Sequence, residues 1–462
     1  MTQDELKVIL TGKPNDIIKA LQEKTVVVPK WSDLVKEYDP MLHKIWDTTI
    51  YPKKPDDKNK DDFKRTALAL QKLAVNRVAQ SMFSTPVKRI YTYDRDNESE
   101  KEAVDLFEEL YKTKVSIDSI NIERAKKLNA SCQIVSIWSA YEKPMQIGLE
   151  KSKLSLKCNL YSEMDGYSIF PITDRNGDIL TMSIAWKDTA KNNWMAVYIN
   201  NILEGTGKYY LYKKETEWIE ELSVDLEIFP VLYMSIAEPV WGGDAGTNKV
   251  EQLEEMESYQ GLYIKRNTVP TFTLDYGEVD ASSEKSTTEE KSDQARRIIV
   301  LGKGGQMSDV TWEGAAKAVA DRYERIRNAF FEEIQVPDTS FANMIKSNTS
   351  AENKELIFSD ARAKAEDLGG EWEQMLLQEM EIIKKLASIM FSKIATPLEG
   401  ITIRSEIIPY NVRTKTEIAE YISVAGDSMS LSTKVNLLGE VDSVEQEVEK
   451  IEEEQSTASN QF

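Results

Sequence analysis

The chain has one histidine, His43, and two cysteines, Cys132 and Cys158, in 462 residues. A single histidine excludes metal centres built from several imidazoles, and His-based relays with them. His43 falls in an irregular aromatic stretch and is expected to be structural. Two cysteines make no disulfide framework, so nothing points to an oxidising compartment. Both are expected to be buried small hydrophobes. No apolar run approaches the roughly 18 residues needed to cross a bilayer. The start, Met1 to Glu5, lacks the basic region and apolar stretch of a signal peptide. A cytoplasm, or a particle assembled in one, is the expected setting, with no membrane. Cations are in deficit: 58 Lys and Arg stand against 78 Asp and Glu, a net charge of −20. Tight sequence-independent DNA binding needs clustered cations that displace counterions. This chain is a poor candidate for it, although a surface past which DNA slides is compatible with the balance.

Nucleotide and metal motifs are also missing. A phosphate-cradling loop needs two glycines five apart, then Lys and a hydroxyl. Gly205-Thr206-Gly207-Lys208-Tyr209 lacks the first glycine at that distance and the hydroxyl, and Gly302-Lys303-Gly304-Gly305 fails too. Asp174-Arg175-Asn176-Gly177-Asp178 hints at a calcium loop. That loop needs Gly at position six and Glu at twelve, where this chain has Ile179 and Ala185, so a hairpin turn is the better reading. No spacing of carboxylates marks a Mg²⁺ site of the kind nucleases use. The pairs Glu254-Glu255 and Glu332-Glu333 read as solvated faces or as salt-bridge partners between subunits. No cofactor and no catalysis are expected.

What is present is an ordered series of elements. Residues 1–55 are helical and irregular, with Trp31, Tyr38, Trp46 and Tyr51 available to pack on a body. Helical spacing of Leu70, Leu73, Ala74, Val78 and Met82 predicts a helix over 63–83, stopped by Pro86. A strand follows at 87–93, then helices near 99–113 and 117–130. Seven β-branched and aromatic runs predict strands at 133–141, 154–161, 167–172, 179–187, 195–202, 208–213 and 230–236. Helices return at 246–267 and 312–335. Between them lie short strands at 271–276 and 297–301 around a polar Ser/Glu/Lys/Thr tract. A polar loop at 338–350 precedes a very long helical pattern from 351 to about 395, interrupted by Gly369-Gly370. Each glycine inside a helix costs about 1 kcal/mol relative to alanine, so the pair predicts a kink. A short strand at 401–404, a helical tail from 411 and an acidic end complete the chain.

This order of parts resembles the tailed-phage portal proteins, most closely those of the Gram-positive type. The segment Arg65 to Val87 looks like the family's early helix, with its step from Ser84-Thr85-Pro86 into a strand. Ile120 to Cys132 resembles the next family helix, and Phe229 to Ala237 the strand before the first stem helix. Gln335-Val336-Pro337-Asp338-Thr339-Ser340 and Asn348-Thr349-Ser350-Ala351-Glu352 resemble the exit from the second stem helix and the opening of the kinked one. Ser350-Ala351 stands where relatives often have Ser-Gly. Ser428 to Asp442, with Glu445-Gln446-Glu447, resembles the capped acidic C-terminal helix. Each motif is weak, and the weight lies in their order along nearly the whole chain.

The resemblance implies an α+β, portal-like elongated subunit. Its parts would be an α/β wing over 1–242 with 395–410, stem helices over 243–270 and 312–337, and a small α/β clip over 271–311. A tunnel loop would span 338–350, a long kinked helix 351–394, and a helical crown with an acidic tail 411–462. It implies a homo-oligomeric ring, usually a dodecamer, at one capsid vertex of the virion, assembled in the host cytoplasm. The ring would be the channel for genome packaging and ejection, and double-stranded DNA would pass through it without sequence specificity. Partners would be the terminase large subunit, a head–tail adaptor, and the major capsid and scaffolding proteins. Asn343, Lys346, Ser347, Asn348 and Thr349 would face DNA. Lys285, Lys291, Arg296, Arg297 and Lys303 would lie on the clip toward terminase or adaptor. Gly369 and Gly370 would be the kink. Another head–tail connector or minor capsid protein, or a metal-dependent DNA-processing enzyme, is the alternative.

Overall fold

A computed structural model describes residues 1–51, 64–94, 96–188, 192–267, 271–275, 297–301, 313–336, 359–408 and 415–438, together with 448 and 451. Helices pack on sheets that are antiparallel but for one two-stranded pair, an α+β arrangement. The short helices α1 (Gln3–Leu10) and α2 (Pro14–Glu23) open the chain. Thr2 and Glu5 cap α1 reciprocally, and Pro14 starts α2 where its missing N–H costs nothing. A third helix, α3 (Trp31–Tyr38), follows.

Two sheets form a sandwich. The three-stranded one has the order β3-β2-β9, from β2 (Gln133–Ile147), β3 (Glu150–Tyr161) and β9 (Val231–Ser235). The other is a five-stranded meander of β4 (Ser168–Thr173), β5 (Ile179–Lys187), β6 (Asn193–Asn201), β7 (Thr206–Lys214) and β8 (Trp218–Leu226). Val135, Ile137 and Val231 of the first pack on Ile169, Met182 and Ile184 of the second. The opposite face of the meander is covered by Leu6, Ile17, Ile18 and Leu21 of α1 and α2. All seven expected strands of this region are present. The eighth, β8, is an addition: it is an edge strand exposed along most of its length, and Glu220, Glu221 and Asp225 hide its alternation.

The Asn176-Gly177 turn joins β4 to β5, with Gly177 at φ +94°. The Asp174 carboxylate accepts from the Asn176 and Asp178 N–H groups, at 2.7 and 2.9 Å. That carboxylate serves the turn, as the hairpin reading expects.

The larger core joins an early and a late segment of the chain. It packs α4 (Leu70–Phe83), α5 (Glu98–Glu108) and α6 (Ile117–Ser131) against α9 (Ser359–Met390) and α10 (Ser392–Gly400). A π-helical stretch, Glu109–Lys114, continues α5. The strand β1 (Lys88–Thr92) pairs antiparallel with β12 (Thr402–Glu406), Lys88 opposite Glu406. Helices α11 (Lys415–Ala425) and α12 (Leu431–Leu438) follow.

The start of α4 and the place where the long helical run breaks differ from expectation. Helix α4 begins at Leu70 rather than residue 63. The Thr66 and Leu68 N–H groups instead donate to Ser258 Oγ at 3.0 Å and Glu254 Oε1 at 2.7 Å. Helix α9 is continuous through Gly369 and Gly370, and the helical run breaks at Phe391, whose backbone is extended. Among the described residues no helix is long and apolar enough to cross a membrane.

Candidate functional site

The helices α7 (Gly243–Asn267) and α8 (Glu313–Glu333) form an antiparallel pair. By the rise of an α-helix they are about 37 and 31 Å long. Lys249 Nζ lies 2.6 Å from Glu333 Oε2. Further along, Glu257 is close enough to Tyr323 to raise its phenol, after burial, which is the larger cause. The pairing fixes which ends are rooted. Val250 and Leu253 of α7, with Phe330, Phe331 and Ile334 at the end of α8, pack on Leu70, Ala74, Val75 and Val78 of α4. No described side chain of α7 after Ser258 is buried, and none of α8 from Lys317 to Ala329. Tyr259, Ile264 and Val319 are exposed large apolar residues on this outer part.

The root of α7 is held by polar contacts that sequence reading missed. His43 Nδ1 lies 2.6 Å from Glu254 Oε1, with the two side chains 4% and 1% exposed. Its Nε2 lies 2.7 Å from the Glu37 carbonyl oxygen. Burial opposes protonation of His43, but Glu254 and the Glu37 carbonyl outweigh it and hold the ring above its ordinary pKa. Lys44 reaches Glu251 at 2.9 Å. The Glu37 carboxylate accepts from Trp241 Nε1 and Thr247 Oγ1, both at 2.8 Å. Gly246 is required by space: a Cβ there would sit 1.7 Å from the Trp241 carbonyl oxygen.

Glu254 therefore corrects the expectation of a solvated Glu254-Glu255 face, since it is fully buried. The signal was its place four residues after Val250, on the apolar stripe. Glu333, of the other acidic pair, is exposed and bonds Lys249 within the same subunit.

A second buried ion pair fixes α9. Arg124 of α6 meets Glu379 at 2.5 Å, with side chains 1% and 0% exposed. Trp138 Nε1 donates to the same oxygen at 3.0 Å, and Arg124 also donates to Ser136 and Asn121. Burial works against the guanidinium charge, yet Glu379 prevails and Arg124 titrates above its usual value. Glu379 lies four residues after Met375, again on an apolar stripe. Lys364 of α9 donates to the Ile334 carbonyl at 2.6 Å, joining α9 to the end of α8. Its burial depresses its pKa.

Cys132 is buried and Cys158 half-buried, and burial pushes both thiols up to about 12. Neither is poised as a nucleophile. Of the site residues expected from sequence, Arg297 begins β11 (Arg297–Leu301), which pairs parallel with β10 (Thr271–Asp275), Arg297 opposite Thr271. Asn343, Lys346, Ser347, Asn348, Thr349, Lys285, Lys291, Arg296 and Lys303 lie outside the described residues. Gly369 is buried and Gly370 exposed within α9, and a Cβ on either would meet nothing within 4 Å.

Residues 249–461 match the family model described as phage portal protein, SPP1 Gp6-like. The match starts at the root of α7 and takes in α8 to α12. No curated protein sequence matches the chain. Similar solved structures include a chain of the virion of a native gene transfer agent particle, 11% identical, with a TM-score of 0.33. That similarity covers 95% of this chain and 99% of the other. A chain from the neck of an empty particle of this kind is 11% identical, with a TM-score of 0.32, covering 79% of this chain and 89% of the other. One from the neck of the native particle, computed with C12 symmetry, is 10% identical, with a TM-score of 0.32, covering 92% and 98%.

Proposed function

We propose, from the match of residues 249–461 to the SPP1 Gp6-like phage portal family model, that this chain is a portal protein and forms a closed ring around a DNA channel. The family match is the observation that carries the reading. The helix pair supports it physically. The outer parts of α7 and α8 have no buried side chain of their own among those described, yet carry Tyr259, Ile264 and Val319. Exposed apolar side chains of this kind are covered where subunits meet, and a closed heterologous ring brings subunits together there without any self-complementary patch. Twelve subunits, usual in the family that the sequence resembles, are proposed.

In this reading 1–242 with 395–410 is the wing, a grouping supported by the pairing of β1 with β12. Residues 243–270 and 312–337 are the stem, and 271–311 the clip that meets the terminase large subunit and then the head–tail adaptor. The 338–350 loop lines the channel, 351–394 is the helix above it, and 411–462 the crown. Capsid and scaffolding proteins meet the wing. The net charge of −20 suits passage. A duplex that must slide is slowed by many phosphate contacts, and a few cations such as Lys346, repeated round a ring, steer it without holding it. ATP hydrolysis belongs to the separate terminase, and no catalysis is assigned to this chain.

Negative-stain microscopy of the purified full chain tests the reading. Rings with a central hole are expected. A stable monomer that cleaves DNA with Mg²⁺ would overturn it in favour of an enzyme. A later structure of the ring with Lys346 on its outer surface would remove that residue from the channel.

A further inference from the structure

A cavity of about 850 Å³ lies between β9, the β4–β5 turn and one face of α9. It is outside the helix pair and has no part in the reading above. Three observations define what it can hold. First, five consecutive residues, Val231 to Ser235, line it. Side chains of a strand alternate between faces, so an unbroken run of lining residues means that the strand presents its backbone edge. β9 is the outer strand of its sheet, paired on the other side with β2. Second, α9 contributes Glu371, Gln374, Gln378 and Glu381, spaced along one helical face. Third, the lining holds three carboxylates, Glu371, Glu381 and Asp178, and no Lys or Arg. Glu381 also bonds Lys384 of its own helix at 3.2 Å.

We propose that this cleft is a peptide-docking groove, in which an extended segment of a partner protein, with Lys or Arg alternating with apolar residues, adds as a fourth strand beside β9. Five paired residues span about 17 Å. Main-chain bonds to β9 supply affinity, and alternate side chains supply choice, as in other strand-addition modes. One set of side chains turns toward the carboxylates and amides of α9. Nucleic acid is disfavoured, because its phosphates would meet carboxylates. β8 of a second copy, the exposed edge strand of the meander's far side, is disfavoured as occupant too, since it carries Glu220, Glu221 and Asp225.

The test uses the full chain and a fluorescein-labelled octapeptide of alternating valine and lysine. Anisotropy should report binding. A valine–glutamate octapeptide, and the valine–lysine peptide N-methylated on its backbone, should each bind at least tenfold more weakly. The double variant Asp178→Lys, Glu371→Lys should lose at least tenfold in affinity with an unchanged circular dichroism spectrum. In the wild-type chain, amide exchange at Val231 to Ser235 should slow when the valine–lysine peptide is added. No binding, binding indifferent to peptide charge or N-methylation, or slowed exchange along β8 in place of β9 overturns the proposal. The exchange measurement stands even where the double variant fails to fold.

Discussion

His43 stands between two acceptors, with the Glu254 carboxylate at 2.6 Å from Nδ1 and the Glu37 carbonyl oxygen at 2.7 Å from Nε2. A neutral imidazole has one donor nitrogen, whereas the imidazolium has two. The geometry thus favours the protonated ring, in agreement with its raised pKa. For a group raised on folding, the stabilisation is complete below the unfolded value, 6.5 for His43, and is lost as pH rises through the folded value. The thermal midpoint of the wild-type chain should therefore fall from pH 6 to pH 9 more steeply than that of His43→Asn. Parallel profiles for the two proteins would remove His43 as the cause.

The Arg124–Glu379 pair predicts an asymmetric mutational response. Removing one partner of a buried ion pair leaves a charge uncompensated and costs about 3–5 kcal/mol, while replacing both by apolar residues is often nearly neutral. Glu379→Met should destabilise by that order in urea unfolding, and Arg124→Met with Glu379→Met should recover at least half. A double variant no more stable than the single would contradict this.

Glycines at two places should respond oppositely to alanine. Gly246→Ala drives a Cβ into the Trp241 carbonyl and should cost on the order of 1–3 kcal/mol, as overpacking does. Gly369→Ala and Gly370→Ala meet nothing within 4 Å and should each stabilise α9 by up to about 1 kcal/mol. If a bend at these two positions serves the ring, the more stable double variant should assemble or package DNA poorly. Normal assembly and packaging would end the kink proposal.

Val319→Asp tests the outer part of the helix pair. The residue is 38% exposed in the single subunit, so the fold should survive the change. Sedimentation velocity should show ring formation weakened at least tenfold with an unchanged monomer spectrum. Rings of wild-type stability would show that Val319 faces solvent in the assembly.

Local pattern made much of this legible. The helices α6, α7 and α8 and seven sandwich strands follow from periodicity and from turn residues such as Asn176-Gly177. The start of α4 does not, because the Thr66 and Leu68 amides are taken by side chains nearly two hundred residues away. β8 was hidden because an edge strand can be polar on both faces. Glu254 read as a surface charge, and only its position on an apolar stripe, which Glu379 shares, hinted otherwise. Their partners, His43 and Arg124, are remote in sequence, and no spacing rule reaches that far.

The Arg124–Glu379 pair also has a consequence for synthesis. The partners are 255 residues apart, and β1 waits for β12, whose last residue is Glu406. During translation Arg124, with Trp138 beside it, has no counter-charge until most of the chain has left the ribosome. The sandwich is made of nearby strands and can close early, but the larger core cannot. Its closure is a late event of high contact order, which is slow for any chain. Until then, the apolar faces of α4 and α6 are open to the neighbours with which subunits are being made.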